Sequence, residues 1–302
     1  MPSWNQLIEE IADVELNNNI PNPLKYEALL TKKPYREYLQ YTFADGRQLV
    51  TADGKKFYVA GEITEKKLKE KIAKRLGFFG ANSVYEMISK LPVSHFITTN
   101  YDNPLFISIG NGVLNSRYRI EKVYSIRRNY VITALDGKQK QYWPMHGNID
   151  SPASIMLGFD HYCGSLAKIE QYVKGGYELN GERVESMIKR LTDGLKDIIS
   201  WIDLFFVSDI HIIGLNLGYE ETDLWWVLNK RRRIKQADSN LIKNRIFYYP
   251  VETVKEDIEQ LFNSFNVEVV HLEKAKLDRP FMERYNEQLS IMEKNMQINS
   301  EQ

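Results

Sequence analysis

Three short polar clusters contain the residue types most capable of binding a ligand or catalysing a reaction. Each cluster follows a run of apolar residues. Each also combines small residues, which let a ligand approach the backbone, with side chains able to hydrogen-bond ribose hydroxyls or an amide. The clusters are Thr98-Thr99-Asn100-Tyr101-Asp102, His146-Gly147-Asn148 and Gly214-Leu215-Asn216-Leu217-Gly218.

Each cluster, taken alone, also has an ordinary structural explanation. Asn-x-Asp after a strand is often an Asx-turn or a helix cap. A His-Gly pair is often a turn, and a Gly-x-x-x-Gly spacing can simply ease helix packing. All three clusters fall at predicted strand ends, however, and this combination favours a ligand site.

The sequence pattern in the second half of the chain predicts which elements position these clusters. Apolar strands alternate with helices there, which is typical of a parallel sheet with helices on both faces. Ligands of such sheets bind at the carboxyl ends of the strands. The predicted strands are Val93 to Thr99, Asp209 to Ile213, Arg245 to Tyr249 and Val267 to Leu272, and the helices run from Glu220 to Arg233 and from Val251 to Phe265.

The remaining segments contain capping and turn signals that predict further elements. Tyr118 to Met145 is predicted to form strands with a hairpin turn at Asp136-Gly137, and Ile155 to Gly158 a brief strand. The predicted helices begin at Ser3, behind Pro34 (Tyr35 to Phe43), at Ala60 (capped by Thr64, ended by Gly77), at Ser83, at Pro104, at Asp160 (to Val173) and at Glu182 (to Leu204).

Composition restricts the possible classes of protein. The chain has 302 residues, 43% of them hydrophobic, and its 40 basic and 40 acidic residues balance. This balance argues against direct nucleic-acid or membrane binding as the main activity. Cys163 is the single cysteine, so neither an intrachain disulfide nor a cysteine-rich zinc site is expected. We expect a cytoplasmic protein, because no signal peptide or long apolar run is evident.

The three clusters together resemble the motifs of one protein family. Ile97 to Asp102 resembles the T-x-N-x-D motif of sirtuin-like domains, and Trp143 to Gly147 resembles their catalytic H-G. Ile155 to Tyr162 resembles the segment that follows H-G, and Ile212 to Tyr219 resembles the I-G-x-S-L strand end, with Asn216 in place of serine. The similarity extends roughly from Pro2 to Leu272. It is greatest to the bacterial sirtuin-like NAD-binding domain of anti-phage defence effectors.

The resemblance implies an α/β fold with a Rossmann-like parallel sheet, helices on both faces and a helical insert. The NAD-binding domain is expected over residues 1–275, with the insert within about 17–90 and 160–204, and a polar tail or helix over 276–302. The first strand and the Gly-rich phosphate loop of the family should precede Pro2 and are missing. Gly77 to Asn82 is similar to that loop only in its glycine pair, and we interpret it as a helix cap and loop.

The resemblance also implies NAD as the substrate, with no metal, and cleavage of the nicotinamide–ribose bond. Asn100 would order the water or a ribose hydroxyl, Asp102 would hold the carboxamide, and His146 would be the base. The nucleotide would be held by Thr98, Thr99, Tyr101, Gly147, Gly214, Asn216 and Gly218. A single cysteine argues against the four-cysteine zinc module of deacetylase sirtuins. An NAD-depleting effector of abortive infection is therefore expected, acting as a homo-oligomer or with a second defence protein such as an ATPase or sensor.

Three alternatives remain open at this level. The domain could bind NAD or ADP-ribose without cleaving it, because the phosphate loop is missing. It could transfer an ADP-ribosyl or acyl group from the same pocket. It could also be a nucleic-acid adaptor that uses the basic run Arg231-Arg232-Arg233. His95 and the pair Trp225-Trp226 are expected in the core, and His161 and Tyr162 are candidates for the pocket wall.

Overall fold

The computed structural model describes residues 21–30, 36–38, 58–60, 64–77, 80, 82–110 and 122–300 of the chain. The helix predicted from Ser3 lies outside these residues, as do Phe78, Phe79 and Ala81 of the Gly77 to Asn82 loop. The described part is a mixed α/β structure with small parallel sheets.

The described helices and strands alternate regularly only from the strand Ile210–Ile213 to the helix Phe281–Ser300. The α-helices are α1 (Asn22–Leu30), α2 (Glu65–Leu76), α3 (Ser83–Ser89), α4 (Pro104–Ile109), α5 (Phe159–Lys174), α6 (Met187–Thr192), α7 (Trp201–Val207), α8 (Thr222–Ala237), α9 (Glu256–Ser264) and α10 (Phe281–Ser300). The strands are β1 (Arg36–Tyr38), β2 (Tyr58–Ala60), β3 (His95–Thr98), β4 (Tyr130–Thr133), β5 (Gln139–Pro144), β6 (Glu178–Leu179), β7 (Glu182–Arg183), β8 (Ile210–Ile213), β9 (Ile246–Tyr249) and β10 (Val267–Val269).

Two three-stranded sheets organise the described fold. One has the order β10-β9-β8 and is entirely parallel. Its crossovers contain α8 and α9, so the predicted β-α-β-α-β half is confirmed. The other has the order β3-β5-β4, with β3 parallel to β5 and β4 antiparallel to it. The turn at Asp136-Gly137 joins β4 to β5, and Gly137 has the left-handed φ of 79° that favours glycine there.

Three predicted elements were wrong. Arg36–Tyr38 is a strand paired with Tyr58–Ala60, so strand pairing overrides both the helix predicted behind Pro34 and a helix start at Ala60. The segment from Ile155 to Gly158 is extended but is not a strand of either sheet. The predicted long helix from Glu182 to Leu204 is instead β7, α6 and α7, because Gly194 takes a left-handed φ of 72° and Ser200 caps a new helix.

The helix starts were predicted more accurately than the helix lengths. Thr64 caps α2, where its hydroxyl accepts a hydrogen bond from the Lys67 amide. Helix α3 begins at Ser83, but its cap is Asn82, whose side chain accepts from the amides of Val84 and Tyr85. Helix α4 begins at Pro104 as predicted. Short polar side chains before a helix satisfy the free amides of its first turn, and this local signal is readable in the sequence.

Burial in the parallel sheet is greatest in its central strand, β9, and lower in both edge strands. All four residues of β9 are buried, whereas all four residues of β8 are only half-buried. Strand β3 is similar, with Phe96 buried and its other three residues half-buried. The main hydrophobic core lies between α5, α7, α8 and the parallel sheet, and it includes Trp143, Tyr172 and Phe206.

The last helix is part of the core rather than a frayed tail. Leu289 and Met292 of α10 are buried against Tyr249 and Val84 in a second apolar cluster. The prediction of a polar tail or helix is therefore met by a helix with one buried face. None of the described helices is long and apolar enough to span a membrane.

Candidate active site

A cleft of about 1220 Å³ lies along the edges of both three-stranded sheets. Its walls include the carboxyl end of β3 and the carboxyl end of β8. Residues that are far apart in sequence therefore face one space. The predicted binding residues that line it are Thr98, Thr99, Asn100, Gly214 and Asn216.

The end of β3 presents Asn100 to this cleft. Its backbone amide donates to the Thr98 hydroxyl at 3.0 Å, which closes a tight turn, and its side chain is exposed. Tyr85 of α3 hydrogen-bonds the Asn100 side chain. Burial raises the pKa of Tyr85 to about 12, so its hydroxyl stays protonated and can hold the amide. Thr98 thus fixes the backbone of Asn100 and Tyr85 contacts its side chain, which remains accessible to a ligand.

Asp102 lies behind the cleft wall rather than in it. The side chain is buried, and its Oδ2 atom has no hydrogen-bond partner among the described residues. Burial raises the pKa of the Asp102 carboxyl to about 6. A buried carboxylate without a partner is costly, and such a group is often found at a functional site.

Hydrogen bonds between backbone and amide groups join the loops that follow β3 and β5. The Met145 amide donates to the Thr98 carbonyl at 3.0 Å. Asn148 is buried, and its Nδ2 donates to Oδ1 of Asn103 at 2.7 Å, while Asn103 donates to Asp150 at 2.9 Å. Asn148 therefore has a structural role in fixing the two loops to each other.

Gly147 forms the tight turn that places His146. Its φ is 101°, in the left-handed region, and a Cβ atom there would overlap the backbone of Ser154 and Ile155. The Met156 amide donates to the His146 carbonyl at 2.8 Å, which holds the turn against the following segment. The glycine of the predicted H-G pair is therefore required by close backbone packing.

His146 is buried beside two carboxylates at the start of α8. The ring is only 2% exposed, and its Nε2 lies 2.8 Å from Oδ2 of Asp223, which is 1% exposed. Oε2 of Glu221 lies 3.9 Å from the same nitrogen. The imidazole and both carboxylates thus form one buried cluster near the cleft.

Electrostatics in this cluster favour the protonated imidazole. Burial alone would lower the pKa of His146, but the charge and hydrogen bond of Asp223, together with Glu221, raise it above its usual value. Burial raises the pKa of Glu221 to about 7, and the charge of Asp223 adds to this effect. A histidine with a raised pKa beside a carboxyl with a pKa of about 7 suits acid–base chemistry.

Two tyrosines form the apolar side of the cluster. Tyr162 of α5 packs edge-on against the His146 ring with 5.4 Å between centroids. Tyr101 hydrogen-bonds Tyr162, and its own hydroxyl donates to the Met156 carbonyl. Tyr162 thus contacts the candidate base, although the described cleft walls contain neither tyrosine.

His161, the second histidine considered for the pocket, is structural. Its Nδ1 accepts from the amides of Leu157 and Gly158 at the start of α5, at 3.0 and 2.9 Å. Its Nε2 lies 2.7 Å from Glu65 of α2 and 3.3 Å from Lys69. These bonds connect α2 to α5 and leave the imidazole no role in the cleft.

The end of β8 is shaped by packing on both sides. Gly214 has a φ of 71°, and a Cβ atom there would overlap the Tyr285 hydroxyl of α10. The Gly218 carbonyl accepts from the Trp225 indole at 2.9 Å and lies outside the described cleft wall. Asn216 is exposed in the cleft. Of this cluster, Gly214 and Asn216 remain able to contact a ligand.

His95, Trp225 and Trp226 were predicted in the core but are half-buried: both tryptophans pack against the main core, and His95 also lines the cleft. His95 accepts a hydrogen bond from the Trp143 indole at 3.2 Å, and Trp225 stacks on Phe262 with 5.8 Å between centroids. Arg231 is fully buried and donates to the Asn244 carbonyl. The nucleic-acid alternative thus loses one of its three arginines, because a buried guanidinium cannot contact phosphate.

In the part of the chain that the structure describes, one group of side chains could hold a metal ion. His146, Glu221 and Asp223 each offer one ligand atom, and these atoms lie within 4.8 Å of one another. An imidazole with two carboxylates is a common donor set for divalent transition metals. The 2.8 Å between Nε2 and Oδ2 is, however, a hydrogen-bond distance.

Sequence reasoning missed Asp223 and Glu221. Both were part of a predicted helix and were given no chemical role. The available signal was their position, because Glu220-Glu221-Thr222-Asp223 directly follows the third polar cluster. Carboxylates placed immediately after a strand-end loop lie where catalytic residues of α/β folds are found.

No protein-family model matches the chain, and a search of curated proteins finds no match to it.

Proposed function

We propose that this protein hydrolyses NAD at the nicotinamide–ribose bond. The observation that carries the proposal is the shared cleft. Thr98 to Asn100 and Gly214 to Asn216 come from different sheets and face one space. These are the segments in which the sequence resembles the nucleotide-binding motifs of sirtuin-like domains.

The size and position of the cleft suit a dinucleotide. Small-molecule sites commonly enclose roughly 300–1,000 Å³, and the cleft measures about 1220 Å³. It runs along the whole length of β3 and β8 and includes the residues that follow their carboxyl ends, where α/β folds bind nucleotides. We further propose that the two three-stranded sheets are halves of a Rossmann-like arrangement, since β3 and β8 both border the cleft.

The proposed reaction needs no strong acid, because the nicotinamide of NAD is already a cationic pyridinium and leaves as a neutral pyridine. The N-glycosidic electron pair departs with nicotinamide, and C1′ of the ribose gains oxocarbenium character. Water then bonds to C1′ and loses a proton. The products are nicotinamide, ADP-ribose and one proton.

The candidate residues divide this work by position. Asn100 is exposed in the cleft and is placed to order water or a ribose hydroxyl. His146 accepts the proton released by the attacking water or by a ribose hydroxyl. Asp102 lies behind the cleft wall, and its role at the carboxamide rests on the resemblance alone. Thr98, Thr99, Gly214 and Asn216 hold the nucleotide.

One observation favours a second candidate function, an NAD- or ADP-ribose-binding module that acts through a partner. His146 is 2% exposed and is not part of the described cleft wall. In a binding module, the cluster around His146 would stabilise the fold behind the cleft and would take no part in a reaction. A binding module would retain NAD affinity and show no turnover.

Incubation of the purified protein with NAD tests the proposal. We expect nicotinamide and ADP-ribose to appear in equal amounts by NMR, and Asn100→Ala and His146→Gln to reduce the rate by about 10²-fold or more. Glutamine can still donate to Asp223, so the second variant avoids leaving a buried carboxylate unpaired. Binding without turnover would favour the binding module, and neither binding nor turnover would contradict both candidates.

Control by assembly is a further part of the proposal. An enzyme that destroys NAD in its own cytoplasm must stay inactive until it is needed. We therefore propose that homo-oligomer formation, or a second defence protein such as an ATPase or sensor, controls access to the cleft. NAD depletion after infection is the expected biological outcome.

A further inference from the structure

We propose that Asp223 and Glu221 are positioning residues for His146, which fix the ring with a proton on Nε2 and leave Nδ1 to act on the ligand. The functional consequence rests on the proposed NAD cleavage. The protonation of the ring can be tested without NAD, so failure of one proposal is distinguishable from failure of the other.

Asp223 is held at both carboxylate oxygens. Oδ2 lies 2.8 Å from Nε2 of His146, and Oδ1 accepts from the Leu224 amide at 2.8 Å. The second bond belongs to the first turn of α8, where the positive end of the helix dipole favours a carboxylate. A carboxylate fixed in this way can only accept from Nε2, so Nε2 must carry the proton.

Glu221 reinforces the same arrangement from the residue before α8. Its Oε2 lies 3.9 Å from Nε2, and that oxygen is buried without a hydrogen-bond partner among the described residues. It therefore interacts with the ring through its charge. Both carboxylates lie on the Nε2 side, so Nδ1 is the nitrogen that neither carboxylate faces.

Among the described residues, the other polar side chains around the ring are two tyrosines and a further glutamate, and none of these carries a positive charge. Tyr162 of α5 faces the ring, Tyr101 from the loop after β3 hydrogen-bonds Tyr162, and Glu220 lies beside Glu221. Burial raises the pKa values of both tyrosines, and the two carboxylates raise them further. His146 is thus the basic member of a cluster with excess acidic groups.

Replacing Asp223 with asparagine should reverse the tautomer. If the asparagine side-chain oxygen still accepts a hydrogen bond from the Leu224 amide, the asparagine NH2 group faces Nε2. Nε2 must then accept a hydrogen bond from that group. The proton moves to Nδ1, and the nitrogen proposed to act on the ligand can no longer take a proton. In a serine protease, the comparable aspartate-to-asparagine change lowers kcat by about 10⁴-fold because the tautomer is wrong.

Nitrogen-15 NMR of histidine-labelled protein tests the ring directly. His146 is one of five histidines, and His146→Gln identifies its signals. In the wild type we expect a proton on Nε2 and a pKa above the usual histidine value of about 6.5. Asp223→Asn should move the neutral tautomer to Nδ1 and lower the pKa, and Glu221→Gln should lower the pKa by a smaller amount. Asp136→Asn changes an exposed carboxylate in the turn between β4 and β5 and should change neither.

The pH profile of NAD cleavage provides the functional readout. We expect the acidic limb of kcat to follow the His146 pKa and to move to lower pH in Glu221→Gln. Asp223→Asn should lower kcat by about 10²-fold or more while KM changes little. Circular dichroism checks that each variant folds. If Asp223→Asn does not fold, the nitrogen-15 NMR spectra of the wild type and of Glu221→Gln still test the proposal.

Two results would overturn the proposal. One is a wild-type His146 with its neutral proton on Nδ1, or a tautomer and pKa that do not respond to either carboxylate variant. The other is stoichiometric binding of Zn²⁺ or Mn²⁺ by the wild type that is lost in both Asp223→Asn and Glu221→Gln. That outcome would show that the carboxylates coordinate a cation instead of orienting the imidazole.

Discussion

At the scale of single residues, the buried carboxyl of Asp102 is energetically unfavourable for folding. Its side chain is 3% exposed, and one oxygen lacks a partner among the described residues. Residues that weaken a fold are expected where binding or catalysis requires them. Measuring both the stability and the NAD cleavage of an Asp102 variant therefore tests whether function requires this residue.

We predict that Asp102→Asn stabilises the protein in a pH-dependent way. Because the folded-state pKa is raised from 3.8 to about 6, the stability contributed by this group is fully present below the unfolded value and is lost as pH rises through about 6. The neutral variant should be more stable above pH 7 by roughly 3 kcal/mol, with the difference vanishing near pH 4. Urea unfolding at several pH values measures this.

Asp136→Asn is the matched control, since Asp136 is exposed in the turn between β4 and β5. A pH-independent effect of Asp102→Asn, or an equal effect of the control, would show that the Asp102 carboxyl is not destabilised by burial. Loss of NAD cleavage alongside gained stability would support its proposed contact with the carboxamide.

Much of the candidate site could be predicted from sequence at this scale, because His146, Asn100 and Gly214 lie in contiguous motifs. Asp223 could not be, since its partner His146 is 77 positions away. The pairing depends on how α8 packs against the loop after β5, and no local pattern encodes that packing. The burial of Arg231 escaped prediction for the same reason.

At the scale of elements, the turn at Gly147 connects β5 to the segment that supports His146. We predict that Gly147→Ala destabilises the protein by more than the roughly 1–2 kcal/mol of a left-handed alanine. The added methyl group would also overlap the Ser154 backbone. Gly137→Ala has a similar φ of 79° with open space around it, so it should show only the backbone cost. Equal unfolding free energies would contradict the close packing.

The C-terminal helix supplies a second element-scale prediction. Leu289 is 2% exposed in the cluster that α10 shares with α3 and β9. Leu289→Ala should lower the free energy of unfolding by roughly 2–5 kcal/mol. Ser290→Ala changes an exposed neighbour on the same helix and should be nearly neutral. A small effect of Leu289→Ala in thermal and urea unfolding would mean that α10 is peripheral.

Sequence patterns predicted elements where local signals were strong. The parallel half followed from the alternation of apolar strands and helices, and Thr64 and Pro104 marked helix starts. The helix expected over Glu182 to Leu204 failed because its apolar periodicity continues across Gly194, where the backbone turns. The strand at Arg36–Tyr38 depends on pairing with Tyr58–Ala60, a contact that no local propensity encodes.

At the scale of the whole molecule, the cleft between the two sheets is the feature that connects the motifs to a function. Strand β8 is a half-buried edge strand paired with the fully buried β9, and its residues line the cleft. A bound dinucleotide would contact the carboxyl ends of both sheets. We therefore expect NAD to raise the melting temperature of the Asn100→Ala variant, which should bind without cleaving.

Cleavage of NAD in ¹⁸O-labelled water tests the central claim most directly. If Asn100 and His146 direct water to C1′, each ADP-ribose formed should contain one ¹⁸O atom at C1′, and nicotinamide should be released in equal amount. Mass spectrometry of the purified reaction gives both quantities, with Asn100→Ala as the inactive control. The account predicts complete labelling by the wild type. Unchanged NAD between pH 6 and 9, or release of nicotinamide without labelled ADP-ribose, would contradict it.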